Sequence, residues 1–164
     1  MKKLKLNLGC GGKILPNYIN IDTKVLDGSL VDLDGIVVAM DVTDLKFSNE
    51  SVDEILAESV LEHISPFDTQ ETLWEWWRVL KSGGVLNILV PDFNMIAEAW
   101  LAGNLSRKWL LRYLYCPVLH SNRQMPHLNM FDAMTLKKLL EEEDFTVGSI
   151  EHESLNVRMI AVKN

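Results

Sequence analysis

The chain has only two cysteines, Cys10 and Cys116, too few for a disulfide framework and without the spacing of a metal-ligating cluster. That scarcity points to a reducing compartment. No apolar stretch of secretory length follows the amino-terminal lysines, and no run reaches the roughly 18 apolar residues of a membrane span. No membrane partner is therefore expected, and the cytoplasm is the expected location. Positive charge is also short, with 16 Lys and Arg against 23 Asp and Glu and a net charge of −7. The basic footprint of a general nucleic-acid binder is missing. There is no repeat, low-complexity tract or linker. At 164 residues, 48% hydrophobic and 24% charged, the sequence reads as one folded domain spanning 1–164.

What is present is an alternation of strand-like and helix-like segments, the pattern of an α/β domain with a mainly parallel sheet. Strands are expected at Leu4–Leu8, Tyr18–Ile21, Ile36–Met40, Val52–Ala57, Val85–Val90, Phe145–Ile150 and Val157–Val162. The clearest helix is expected from Thr69 to Lys81, where Leu73, Trp76, Trp77 and Leu80 form one apolar stripe. Asp68 with Glu71 reads as a capping box, and Ser82-Gly83-Gly84 as the stop. A second helix is expected from Leu136 to Glu142 with Thr135 as its cap. A third lies within Asn94–Tyr115, broken around Gly103-Asn104.

The sharpest local feature is Leu6-Asn7-Leu8-Gly9-Cys10-Gly11-Gly12, a strand that runs into a glycine turn. Glycine permits positive φ and close approach of a ligand. A P-loop is excluded because Ile14, not Ser or Thr, follows Gly12-Lys13. A dinucleotide fingerprint is weakened by the same Ile14, where a small residue belongs. A nucleoside ligand without pyrophosphate and a plain strand-ending turn remain. Asp22, Asp41 and Glu58 then close the next three expected strands. Asp22 is placed to accept ribose hydroxyls, Asp41 and Val42 to read an adenine edge, and Glu58 to meet an ammonium group.

These segments together resemble the class I S-adenosylmethionine-dependent methyltransferases, in particular small members of the type-11 kind. Leu6–Gly11 resembles their first motif, and Asp41–Phe47 their acidic motif after the third strand. Ser51–Ile55 with Val60–His63 resembles the fourth strand and the helix after it. Glu75–Leu86 resembles the helix, turn and fifth strand, and Leu136–Val147 the late helix and sixth strand. The resemblance implies a Rossmann-like, doubly wound, mainly parallel seven-stranded sheet, with helices on both faces and an antiparallel strand near the C-terminus. It implies S-adenosylmethionine as cofactor and S-adenosylhomocysteine as product. The cofactor would contact Leu8, Gly9, Cys10, Gly11, Asp22, Asp41, Val42 and Glu58. Residues 94–130, the least matched, would form a cap on the acceptor side. The connection Gly12–Asn17, with Pro16, is too short for the usual crossover helix.

His63 is the expected catalytic residue, orienting the acceptor or taking its proton. His120, His127 and Asp92 are further acceptor-side candidates. No metal is expected. Trp74, Trp76 and Trp77 are expected to pack. Trp100, Trp109, Tyr113 and Tyr115, with the cations Arg107, Lys108, Arg112 and Arg123, are read first as lid packing and a solvated helix face. The expected partner is a small-molecule or saccharide-type acceptor, and the oligomeric state is open. The alternatives are a binding or partner-dependent subunit without transfer of its own, and a nicotinamide-dependent oxidoreductase.

Overall fold

The computed structural model describes residues 3–23, 37–116 and 125–164. Its strands are β1 (Lys5–Leu8), β2 (Ile19–Ile21), β3 (Val37–Val38), β4 (Val52–Glu58), β5 (Leu80–Pro91), β6 (Phe145–Glu153) and β7 (Asn156–Lys163). Its helices are α1 (Thr69–Val79), α2 (Phe93–Leu101), α3 (Arg107–Tyr115) and α4 (Ala133–Glu142). All seven strands form one sheet, in the order β3-β2-β1-β4-β5-β7-β6. The pairs among β1 to β5 are parallel. β7 runs against both of its neighbours, so it alone opposes the other strands. Strand order reverses beside β1. In an open α/β sheet, that switch point is where a crevice opens beyond the carboxyl ends of the strands. Among the described residues, no helix is long and apolar enough to cross a membrane.

One face of the sheet carries the core. Leu6 and Leu8 of β1, Ile55 and Ala57 of β4, Leu86, Ile88 and Val90 of β5, and Val157, Met159 and Ala161 of β7 are all buried. They cluster with Leu73, Trp76 and Val79 of α1 and with Leu136 and Leu140 of α4. The alternate strand residues point the other way and are more polar. There the segment between β1 and β2 crosses without a helix, as its length and Pro16 foretold. Two buried amides hold it. Asn7 and Asn20 are partners across β1 and β2. The Asn7 side chain donates to Lys13 O at 2.8 Å and to Asn20 Oδ1 at 2.9 Å. Asn20 Oδ1 also accepts from Leu15 N–H at 3.0 Å. Tyr18 and Lys5 close the group on Glu54.

On the core face, α1 clamps the loop between β3 and β4. The Trp76 indole donates to Val42 O at 2.8 Å, and Glu75 accepts from Leu45 N–H at 2.8 Å. Arg78 donates to Glu75, Leu45 O and Phe47 O, at 2.7 to 3.0 Å. The Glu75 carboxylate, outweighing burial, holds the guanidinium above its usual value.

Several local expectations are corrected. α1 stops at Val79, because Leu80 turns extended and enters β5, ahead of the glycines. Ser82-Gly83-Gly84 instead lie in an irregular stretch of β5, where the register against β4 shifts. Asp68 makes no capping bond. The first turn is held by Thr69 and Thr72 hydroxyls donating to Ser65 O and Asp68 O. Asp132, not Thr135, caps α4, accepting from Met134 and Thr135 N–H. The third strand is two residues long and ends at Val38. The expected break near Gly103 is present, between α2 and α3.

Replacing Asn20 with valine strands the Asn7 side chain and both polar groups of Leu15. Asn20→Val is expected to lower stability by about 2–3 kcal/mol, as read from the urea midpoint at unchanged slope. A loss under about 0.5 kcal/mol would remove the amide pair from its role.

Candidate cofactor and acceptor site

A cavity of about 930 Å³ opens at the carboxyl ends of β1, β2 and β4. Among the described residues, it is lined on one side by Gly9, Asp22, Asp41, Val42 and Glu58. The other side is formed by His63, Arg112, Tyr113 and His127, with Glu62 between the two. Five of the eight expected cofactor residues therefore share one wall with open space in front of them. Leu8, Cys10 and Gly11 are not among the lining residues. Leu8 faces the core, and Cys10 extends the ladder by donating its N–H to Ile21 O at 3.0 Å.

Gly9 is forced by its surroundings. Its φ is +57°, and a Cβ would meet Val60 Cγ2 at 2.7 Å. Gly11 has a φ of +50°, but a Cβ there would meet nothing within 4 Å. Its N–H donates to Asp22 Oδ2 at 2.8 Å, so the buried Asp22 carboxylate locks the turn as well as facing the cavity. Asp41 Oδ1 accepts from both the N–H and the hydroxyl of Thr43. That turn engages Thr43 N–H with the Asp41 carboxylate. The Val42 carbonyl is taken by Trp76. Glu58 bonds Lys13 through one oxygen and Arg158 through the other. Burial pushes its carboxyl up, but these two cations outweigh burial and hold it below the usual carboxylate value.

The far wall is built from three segments cross-linked through the backbone. A 3-10 turn, Leu61–His63, follows β4. The Glu62 carbonyl accepts from Leu128 N–H at 2.8 Å and Asn129 N–H at 3.1 Å. The Asn129 side chain donates to Thr69 Oγ1. His63 Nδ1 lies 3.0 Å from Pro126 O, and His127 Nδ1 lies 2.8 Å from Tyr113 O. A carbonyl only accepts, so each Nδ1 carries the hydrogen and each Nε2 is left with the lone pair. The two rings meet edge to face, with centroids 4.8 Å apart. His127 is held below the usual imidazole value chiefly by burial, helped by His63 and Arg112 and opposed by the Tyr113 carbonyl.

Glu62 is 1% exposed, and neither carboxylate oxygen has a hydrogen-bond partner. Burial pushes its carboxyl up to about 7. The Ser59 hydroxyl and its own amide pull weakly the other way without forming a well-made bond to it. Glu62, His63 and His127 each offer a ligand atom, all within 4.8 Å of one another. Sequence reasoning missed Glu62, whose neighbour in the chain took the attention. It could not pair His63 with His127, because only the fold joins them. Asp92 is not part of the wall; it caps α2, accepting from Asn94 and Met95 N–H. His120 and Arg123 lie outside the described residues.

The methyltransferase-domain family matches residues 6–88, from β1 into β5. No curated protein matches the chain in sequence. Among solved structures, a SAM-dependent methyltransferase from Methanosarcina mazei superposes with a TM-score of 0.69 at 15% identity, covering 99% of this chain and 93% of that one. A SAM-dependent methyltransferase from Thermotoga maritima, described as a possible histamine N-methyltransferase, gives 0.68 at 17% identity, over 100% and 83% of the chains. The 1,6-didemethyltoxoflavin-N1-methyltransferase of Burkholderia thailandensis, bound to that substrate and S-adenosylhomocysteine, gives 0.62 at 17%, over 98% and 71%. These likenesses establish the shared fold.

Gly9→Ala is expected to cost more stability than Gly11→Ala, since only the first adds a steric contact to the roughly 1–2 kcal/mol of a left-handed alanine. In a double-mutant cycle, Val60→Ala should recover the contact part for Gly9→Ala and nothing for Gly11→Ala. Equal losses at the two glycines would sink this reading of the turn.

Proposed function

This chain belongs to the methyltransferase-domain family that matches its residues 6–88, and on that premise we propose that it methylates a small-molecule or saccharide-type acceptor held in the strand-end cavity. The cofactor is S-adenosylmethionine and the product S-adenosylhomocysteine. The observation that carries the proposal is one cavity lined both by strand-end residues and by the histidine-bearing segments. Gly9, Asp22, Asp41 and Val42 stand on one wall, and His63, Tyr113 and His127 on the other. Its volume of about 930 Å³ suits a nucleoside beside a second small molecule.

Asp22 takes the ribose hydroxyls, using lone pairs beyond the one given to Gly11. Asp41 and Val42 flank the adenine. Glu58 stands at the methionine end with its charge already balanced by Lys13 and Arg158. Leu8, Cys10 and Gly11 support the turn. The acceptor enters under α3 and residues 125–128, two parts of the 94–130 cap. In the transfer, the acceptor's lone pair forms the new bond to the methyl carbon. The carbon–sulfur pair stays on sulfur, which becomes a neutral thioether. Alignment of these three atoms supplies much of the rate. Where the acceptor is a hydroxyl, its proton must also leave. That step depends on His63, whose Nε2 lone pair is fixed by the Pro126 carbonyl at the other ring nitrogen.

Calorimetric titration should give saturable binding of S-adenosylmethionine and S-adenosylhomocysteine and none of NAD. Asp22→Ala should weaken both by roughly ten- to a hundredfold, the loss of about 1.5–3 kcal/mol of charge-assisted hydrogen bonds. An unchanged dissociation constant in a folded variant would take the ribose away from Asp22. His63→Ala should bind the cofactor normally yet lose transfer from isotopically labelled cofactor to the acceptor. Full transfer by that variant would free His63 from catalysis.

A further inference from the structure

We propose that the acceptor end of the cavity binds one divalent transition-metal ion, zinc or a close relative, through Glu62, His63 Nε2 and His127 Nε2. Three independent features converge there. The Glu62 carboxylate is buried, lines the cavity, and makes no well-formed hydrogen bond through either oxygen. Buried polar side chains in folded proteins nearly always have partners, and an orphan of this kind calls for one, such as an ion, a ligand or a water. Protonation would remove its charge, but would leave an O–H and the remaining lone pairs unmatched.

The two imidazoles supply the second feature. Each gives its Nδ1 hydrogen to a backbone carbonyl, Pro126 O for His63 and Tyr113 O for His127. A carbonyl behind the ring fixes the tautomer and raises the basicity of the opposite nitrogen, the support that metal-ligating histidines have. The same geometry occurs twice, on rings that touch edge to face. Two histidines that both gained a proton would repel at this distance, whereas one dication between their lone pairs removes the conflict.

The third feature is proximity. One ring nitrogen of each histidine and one Glu62 oxygen lie within 4.8 Å of one another. Ligands about 2.1 Å from a tetrahedral ion sit about 3.4 Å apart, so binding draws the group together by about 1.4 Å at its widest. Two nitrogens and one carboxylate are the donor set of an open zinc-type site, with a fourth position facing the cavity. An acceptor hydroxyl in that position would lose its proton to solvent more readily. Proton removal then depends on His63 through the ion it holds.

The test uses the full chain, stripped with a chelator and dialysed. Zinc titrated by calorimetry should bind at one equivalent per chain. His63→Ala and His127→Ala should each weaken it by roughly tenfold or more. Calorimetry with S-adenosylhomocysteine, run on the same samples, reports whether each variant is folded and keeps the methyltransferase reading separate from the ion. Cobalt in the unaltered chain should give visible absorption bands of low-coordinate, nitrogen-ligated metal, a readout that needs no variant. Substoichiometric zinc, cobalt bands of the hexa-aqua ion alone, or binding that both alanine variants leave intact would overturn the proposal. So would saturable binding of methylamine with no zinc uptake, which would assign the carboxylate to a cationic acceptor.

Discussion

A parallel pair of strands must be joined by a chain that travels the length of the sheet, and here that chain has only residues 9–18 and a proline with which to do it. The interaction that makes this workable is the hydrogen bond between the buried amides of Asn7 and Asn20. One carboxamide in each strand reaches up to catch the connection at Lys13 and Leu15. Everything on that side of the site is measured from those anchors. Lys13 can meet Glu58, and Gly11 N–H can meet Asp22, because the segment between them has one path. An apolar pair would pack but could not specify where the loop lies, since only directed bonds fix its height over the sheet.

The opposite face solves a different problem with a different tool. The loop after β3 carries Asp41 and Val42, and it is held by the helix two elements later in the chain. Glu75, Trp76 and Arg78 all reach into it. The most distinctive stretch of the sequence, Glu75–Leu86, contributes no residue to the cavity lining. Its helical part positions residues that line it, and its strand part, β5, lies at the centre of the core. Motif recognition and mechanism separate at this point: residues that identify the family can be those that hold the site rather than those that form it.

The sequence made the sheet legible because buried parallel strands are short apolar runs, and the acids that end them fall where the crevice must open. Element ends were less legible. Leu80 belongs to the apolar stripe of α1 by spacing, yet its backbone is the first residue of β5, and only pairing with Val52 decides that. Asp68 and Thr135 have the right chemistry for caps, but Asp68 sits at the cap position without a side-chain bond and Asp132 takes the bonds at the start of α4. Asp92 looked like a site residue because it ends a strand, and it turned out to begin a helix. The histidine pair was the least legible, because His63 and His127 are brought together by bonds from the Glu62 carbonyl to Leu128 and Asn129. Nothing in residue type or spacing encodes a contact of that kind.

The helix-free path after the glycine turn also carries an electrostatic meaning. In nucleotide folds of related topology, the first turn opens a helix, whose aligned peptide dipoles place about half a positive charge where a phosphate sits. Here the turn opens into residues tied down by asparagine side chains, the Asp22 carboxylate accepts from Gly11 N–H, and Glu58 is paired with Lys13 and Arg158. A phosphorylated ligand entering beside Gly9 would meet the Asp22 carboxylate with no helix dipole to offset it. A nucleoside that carries a sulfonium needs no such dipole.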